Sequence, residues 1–246
     1  MILYFSATGN CKYVATRISE TMGEEMISIV DCLKEGKLTF TDQRIGIISP
    51  TYDWSLPSIT REFLQKADLN AEYLYYIATY GTSPGASSEY AEKYYGKKID
   101  AFYSVRMPDN WTPVFDLSTP EKVGKFTTTT ESDIESVIKH LENSERGQFM
   151  SDRKSKALVK VAYPFYELTR QTKHLSVDDN CIGCGLCERK CPVQAIEMKD
   201  GKPVWVKEKC AMCLGCLHRC PKFAIQYGNG KATRAHGQYT NPNVKI

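Results

Sequence analysis

At 246 residues the chain can hold two domains, and no apolar run approaches the ~20 residues of a membrane span. The first residues run straight into a strand-like segment without a charged leader, so ten cysteines point to metal rather than disulfides and to the cytoplasm. The formal charge of +3 is split: residues 1–150 carry 15 Lys/Arg against 21 Asp/Glu, and residues 151–246 carry 17 against 8.

Residues 2–5 read as a short buried strand. The loop Ser6-Ala7-Thr8-Gly9-Asn10-Cys11 follows, and residues 12–19 open a helical pattern. Strand, tight polar loop and helix start together make an anion site, because successive N–H groups converge and the helix dipole adds partial positive charge. Ser6 and Thr8 add hydroxyl donors, and Gly9 allows close approach. A Walker loop needs G-x-x-x-x-G-K-[ST] and a dinucleotide fold needs G-x-G-x-x-G; neither is present. An ordinary Ser/Thr-rich turn is the alternative.

Three further strands are expected over residues 44–49, 72–79 and 99–105. The first ends in Pro50-Thr51-Tyr52-Asp53-Trp54 and is followed by a helical segment at 58–64. The second ends in Thr79-Tyr80-Gly81, running on to Gly85, and the third in residues 107–111. Residues 130–141 form an amphipathic helix with an acidic first turn. Strands alternating with helices predict a doubly wound parallel sheet, whose ligands sit beyond the carboxyl ends of the strands. Tyr52, Trp54 and Tyr80 stand at that ligand edge, where loop or core packing is the plain alternative, and residues 107–111 are a third wall or simply a loop.

Residues 151–173 read as a basic linker, with an apolar stretch at 159–165 suited to packing between domains. Beyond it lie Cys181-x-x-Cys184-x-x-Cys187-x-x-x-Cys191-Pro192 and Cys210-x-x-Cys213-x-x-Cys216-x-x-x-Cys220-Pro221. This is the bacterial iron–sulfur run written twice. In two-cluster proteins the fourth cysteine ligates the other cluster. One set is then Cys181, Cys184, Cys187 and Cys220; the other is Cys210, Cys213, Cys216 and Cys191. Structural zinc also uses paired C-x2-4-C, but three close cysteines with a distant fourth match it poorly. The turn at 199–202 predicts a hairpin. Cys32 reads as a small core residue, the four histidines share no ligand spacing, and the tail beyond residue 228 has no periodicity.

Residues 174–228 resemble a bacterial-type two-[4Fe-4S] ferredoxin. The Ser6–Cys11 loop resembles the flavodoxin phosphate loop [S/T]-x-T-G-N-[S/T], with Cys11 departing from the usual Ser or Thr. The whole chain resembles the bacterial flavodoxin–ferredoxin fusion family. That resemblance implies a flavodoxin-like doubly wound five-stranded parallel sheet over residues 1–150, a linker at 151–173, a small α+β ferredoxin-like domain at 174–228 and a tail at 229–246. It implies FMN held by Ser6, Ala7, Thr8, Gly9, Asn10 and Cys11, with the ring against Pro50, Thr51, Tyr52, Asp53, Trp54, Thr79, Tyr80 and Gly81, and two [4Fe-4S] clusters. Such cofactors join one-electron to two-electron chemistry. The expectation is an electron-transfer iron–sulfur flavoprotein of anaerobic metabolism, with a reductase acting directly on a quinone or enone as the alternative. Its partners are then redox proteins, with a homodimer left open. Nucleic acid is not expected, because no recognition fold is visible.

Overall fold

The computed structural model describes residues 1–246. The front half is built on β1 (Ile2–Tyr4), β2 (Met26–Ser28), β3 (Thr39–Pro50), β4 (Asp68–Tyr80), β5 (Ala101–Arg106) and β6 (Gly147–Gln148). These pair in parallel in the order β2-β1-β3-β4-β5-β6. The sheet therefore has six strands, not the five expected. The extra one is a two-residue edge in which Ala101 faces Gly147 and Phe102 faces Gln148.

The central strands β3 and β4 are the long ones. From Tyr73 to Tyr80, β4 is buried without interruption, as a strand covered on both faces must be. Helix α1 (Asn10–Met22) buries Cys11, Val14, Ala15 and Ile18, one stripe at helical spacing, and stops at Gly23 in a left-handed cap. It covers one face of the sheet together with α6 (Thr130–Glu142), through Ile134, Val137 and Leu141. The other face lies under α2 (Ile29–Glu35), α3 (Ser58–Lys66) and α4 (Ser87–Tyr95), through Ile29, Phe63 and Tyr90. A short α5 (Pro120–Thr127) precedes α6. Strand order reverses between β1 and β3, so their carboxyl ends open a crevice there.

The segment read as a linker folds as a helix, α7 (Lys156–Thr169), capped by the Ser155 side chain on the Leu158 amide. Val159 is buried in the front-half core, while Tyr166 is buried in the core of the back half. One helix thus pins the two cores together. Pro164 sits inside it, where its ring forgoes one hydrogen bond of the helix.

In the back half, β7 (Leu175–Val177) pairs antiparallel with β10 (Ile225–Tyr227). β8 (Ile196–Lys199) and β9 (Lys202–Trp205) form the expected hairpin, turning through Asp200 and Gly201, both at positive φ. The single-turn helices α8 (Leu186–Arg189) and α9 (Gly215–His218) follow the second cysteine of each run. After α10 (Lys231–His236) the tail crosses back to the front half, burying Tyr239 and Asn241. No helix is long and apolar enough to cross a membrane.

Candidate functional site

A cavity of about 260 Å³ opens at the crevice between β1 and β3. Its floor is the loop after β1. Ser6 Oγ accepts from the Gly9 amide at 3.2 Å, which folds the loop back on itself. Thr8 Oγ1 is buried and accepts from Asn110 Nδ2 at 2.5 Å. Cys11 Sγ lies 3.1 Å from Thr79 Oγ1, and burial pushes its thiol up to about 12, so it is a neutral, inward-facing group.

The walls are the loops after β3 and β4. Asp53 and Trp54 take φ of 45° and 60°, so two successive non-glycine residues occupy the left-handed region. Tyr52 and Ser55 exchange both backbone hydrogen bonds at 3.0 Å around them. Such a turn costs about 1–2 kcal/mol per residue and persists because its surroundings hold it. Here the Trp54 carbonyl is tied to the Ala86 amide at 2.9 Å. Thr51 lines the cavity, with its Oγ1 buried and without a partner. Hydroxyls and amides of Ser6, Thr8, Asn10 and Thr79 line it together with the rings of Tyr52, Trp54 and Tyr80, and in this respect the cavity fits a flavin with its phosphate. Asp109 stands on the third wall; burial pushes its carboxyl up to about 6, with Asp53 adding repulsion.

Thirteen of the fourteen residues expected to hold FMN border this one cavity; Gly9 packs instead against Asn241. The loop after β5, read from the sequence as a third wall or a plain loop, supplies Asn110 and Trp111 and, just beyond them, Phe115. Residues that local motifs did not mark complete the cavity: Tyr166 and Thr169 from α7, and Met212 and Leu214 from the second cysteine run.

The cysteine runs repeat in backbone as well as in sequence. Gly183, Gly185 and Gln194 have φ of 65°, 70° and 50°; their counterparts Met212, Leu214 and Phe223 have 54°, 50° and 50°. The Ala195 amide donates to Cys191 Sγ at 3.2 Å, and the Ala224 amide to Cys220 Sγ at 3.3 Å. Four non-glycine residues held left-handed is a costly way to shape two loops around their sulfurs. No three His, Cys, Asp or Glu side chains close on a single point as around a mononuclear ion. Instead the cysteines border two voids. Cys181, Cys184, Cys187 and Cys220 line one, and Cys191, Cys210 and Cys213 the other, with Cys216 reaching both. Burial pushes Cys213 up to about 12 and raises Cys210, Cys216 and Cys187, so these become thiolates only against bound metal.

The second run sits against the cavity floor. A Cβ at Gly215 would lie 3.7 Å from Ala7 Cβ and 3.6 Å from Cys213 Sγ. Arg219 Nη2 donates to the Ser6 carbonyl at 3.4 Å, while its Nε is buried without a partner.

Comparison with known proteins agrees with this division. A flavodoxin-domain family model matches residues 1–135, and a 4Fe-4S dicluster-domain model matches residues 180–225. No curated protein matches the chain. Among solved structures, the Trp repressor binding protein from Bacillus subtilis is 11% identical over 57% of this chain and 94% of its own, with a TM-score of 0.35. Rubredoxin oxygen:oxidoreductase from Desulfovibrio gigas is 12% identical at a TM-score of 0.33; the match takes in 58% of this chain and 36% of that one. A flavone reductase is 13% identical over 84% of this chain and 81% of its own, with a TM-score of 0.31. Likenesses this remote say nothing of chemistry. The chain belongs to the flavodoxin-domain family and is a flavodoxin domain followed by a 4Fe-4S dicluster domain, an iron–sulfur flavoprotein with a role in electron transfer or reduction.

Proposed function

We propose that the protein carries one FMN and two [4Fe-4S] clusters and converts between one-electron and two-electron carriers in the cytoplasm of an anaerobe. When bound, the clusters exchange single electrons and the flavin takes one or two. The carrying observation is the seat of the second cysteine run: Met212 and Leu214, flanking Cys213, are also walls of the flavin cavity. Those two side chains are buried and apolar, so they keep water out of the gap between cavity and cysteines. The proposed ligand sets are crossed, with Cys210, Cys213, Cys216 and Cys191 holding the cluster beside the cavity. Cys181, Cys184, Cys187 and Cys220 hold the one farther out, where Cys184 is exposed and can meet a redox partner.

Ser6, Ala7, Thr8, Gly9, Asn10 and Cys11 would hold the phosphate by backbone amides and hydroxyls. Tyr52, Trp54 and Tyr80 would flank the ring. A second reading is supported by the cavity's mouth. Phe165 borders it at 59% exposure, and Trp111 and Phe115 line the same cavity, apolar surface on which a planar quinone or enone could rest for direct reduction.

The test is anaerobic reduction by a one-electron donor. Wild type should reduce its flavin. Cys213→Ala should retain FMN but lose that reduction, having lost the cluster beside the cavity. Equally fast flavin reduction in Cys213→Ala would contradict the proposal.

A further inference from the structure

The tail beyond α10 has no sequence pattern, yet it is hydrogen-bonded to the loop that floors the flavin cavity. Asn241 donates its backbone N–H to the Thr8 carbonyl at 2.7 Å. Tyr239 Oη donates to Asn10 Oδ1 at 2.8 Å, and Asn241 Nδ2 donates to the same oxygen at 3.3 Å. The Asn10 amide nitrogen is already spent on the Pro108 carbonyl at 3.1 Å. Asn10, Tyr239 and Asn241 are all buried. The side chain that opens α1 is thus held at three points, two of them supplied by the tail.

These bonds act on the phosphate loop's geometry. A trans peptide points its C=O and N–H in opposite directions. Fixing the Thr8 carbonyl on Asn241 therefore aims the Gly9 N–H away from the tail, where it meets Ser6 Oγ. The approach is so close that a Cβ on Gly9 would lie 2.8 Å from Asn241 Cβ, and Gly9 has φ of 103°. Glycine is required there by the tail as well as by the loop.

The tail's other anchor is the back half. Gln238 Nε2 donates to the carbonyls of Leu217 and Cys220 at 2.6 and 2.8 Å, and the Tyr239 amide donates to His218 Nδ1 at 3.1 Å. The same segment grips the turn between Cys216 and Cys220 and the loop after β1.

We propose that residues 238–241 are a strap that sets the shape of the FMN phosphate loop from the iron–sulfur half, with Tyr239 and Asn241 as positioning residues for the phosphate. This rests on the flavin reading above. A strap acting through the loop should act on the phosphate alone. Riboflavin has the same ring without a phosphate, so it separates this role from general packing.

The experiment is titration of the full-length, cluster-loaded protein, freed of flavin, with FMN and with riboflavin, followed by flavin fluorescence. Tyr239→Phe/Asn241→Ala should weaken FMN on the order of tenfold, as expected for two lost hydrogen bonds, and leave riboflavin unchanged. Tyr239→Phe alone keeps the ring's packing and should weaken FMN about threefold to fivefold. That variant carries the test should the double variant fail to fold. Unchanged FMN affinity, or equal losses for FMN and riboflavin, would overturn the strap. Wild type that binds neither flavin would instead overturn the flavin reading, and the strap with it.

Discussion

Tyr166 of α7 donates its phenolic hydrogen to the carbonyl of Ala211, 2.9 Å away, inside the second cysteine run. The same oxygen accepts from the Ser58 amide at 3.2 Å, at the start of α3, and the ring lies 6.1 Å from that of Tyr52 on the cavity wall. One buried hydroxyl thereby joins the linker helix, the flavodoxin sheet's helical layer and the cluster loop.

Removing that oxygen leaves the buried Ala211 carbonyl and the partly buried Ser58 amide without partners. Tyr166→Phe should lower stability by about 1–3 kcal/mol. Urea unfolding of the two proteins checks this. A variant as stable as wild type would mean that water takes over both bonds and that the contact does not hold the seam.

Asp109 predicts a pH dependence of opposite sign to that of a salt-bridged carboxylate. Its carboxyl is pushed up to about 6 by burial, from an unfolded value near 3.8. Folded protein therefore binds the proton more tightly than unfolded, and the stability from this group is full below pH 4 and lost as pH rises through about 6. The difference in stability between wild type and Asp109→Asn should shift by on the order of 1–3 kcal/mol between pH 4 and pH 7.5. A difference that stays flat across that range would show the carboxyl to be solvated.

The crossed ligation predicts a reversal of sequence neighbourhood. Cys191→Ala should bring iron from about eight to about four per chain and abolish reduction of the flavin through the clusters, because the lost cluster is the one beside the cavity. Cys220→Ala should lose the same iron and keep flavin reduction by a donor small enough to reach the inner cluster. The opposite pattern contradicts the crossed sets.

Much of this site was legible because its parts are local in sequence. The two cysteine runs and the Ser6–Cys11 loop each bring their chemistry together within about a dozen residues. The walls contributed by Tyr166, Met212 and Leu214 were not legible, since only the docking of two cores sets them beside Tyr52. Met212 and Leu214 in left-handed backbone give no signal in their side chains; the clue lay in their alignment with Gly183 and Gly185. Strands β2 and β6 escaped because three and two residues carry no periodicity. The tail's hold on Asn10 spans more than 220 positions and has no motif at either end.

The central claim is that electrons pass between clusters and flavin inside one molecule. Stopped-flow reduction of the clusters, with flavin absorbance followed at several protein concentrations, tests it most directly. With Gly215 packed on Ala7 and Leu214 in the cavity wall, flavin reduction should proceed at a rate independent of protein concentration. A rate that rises with concentration, or that requires an added mediator, would contradict the account.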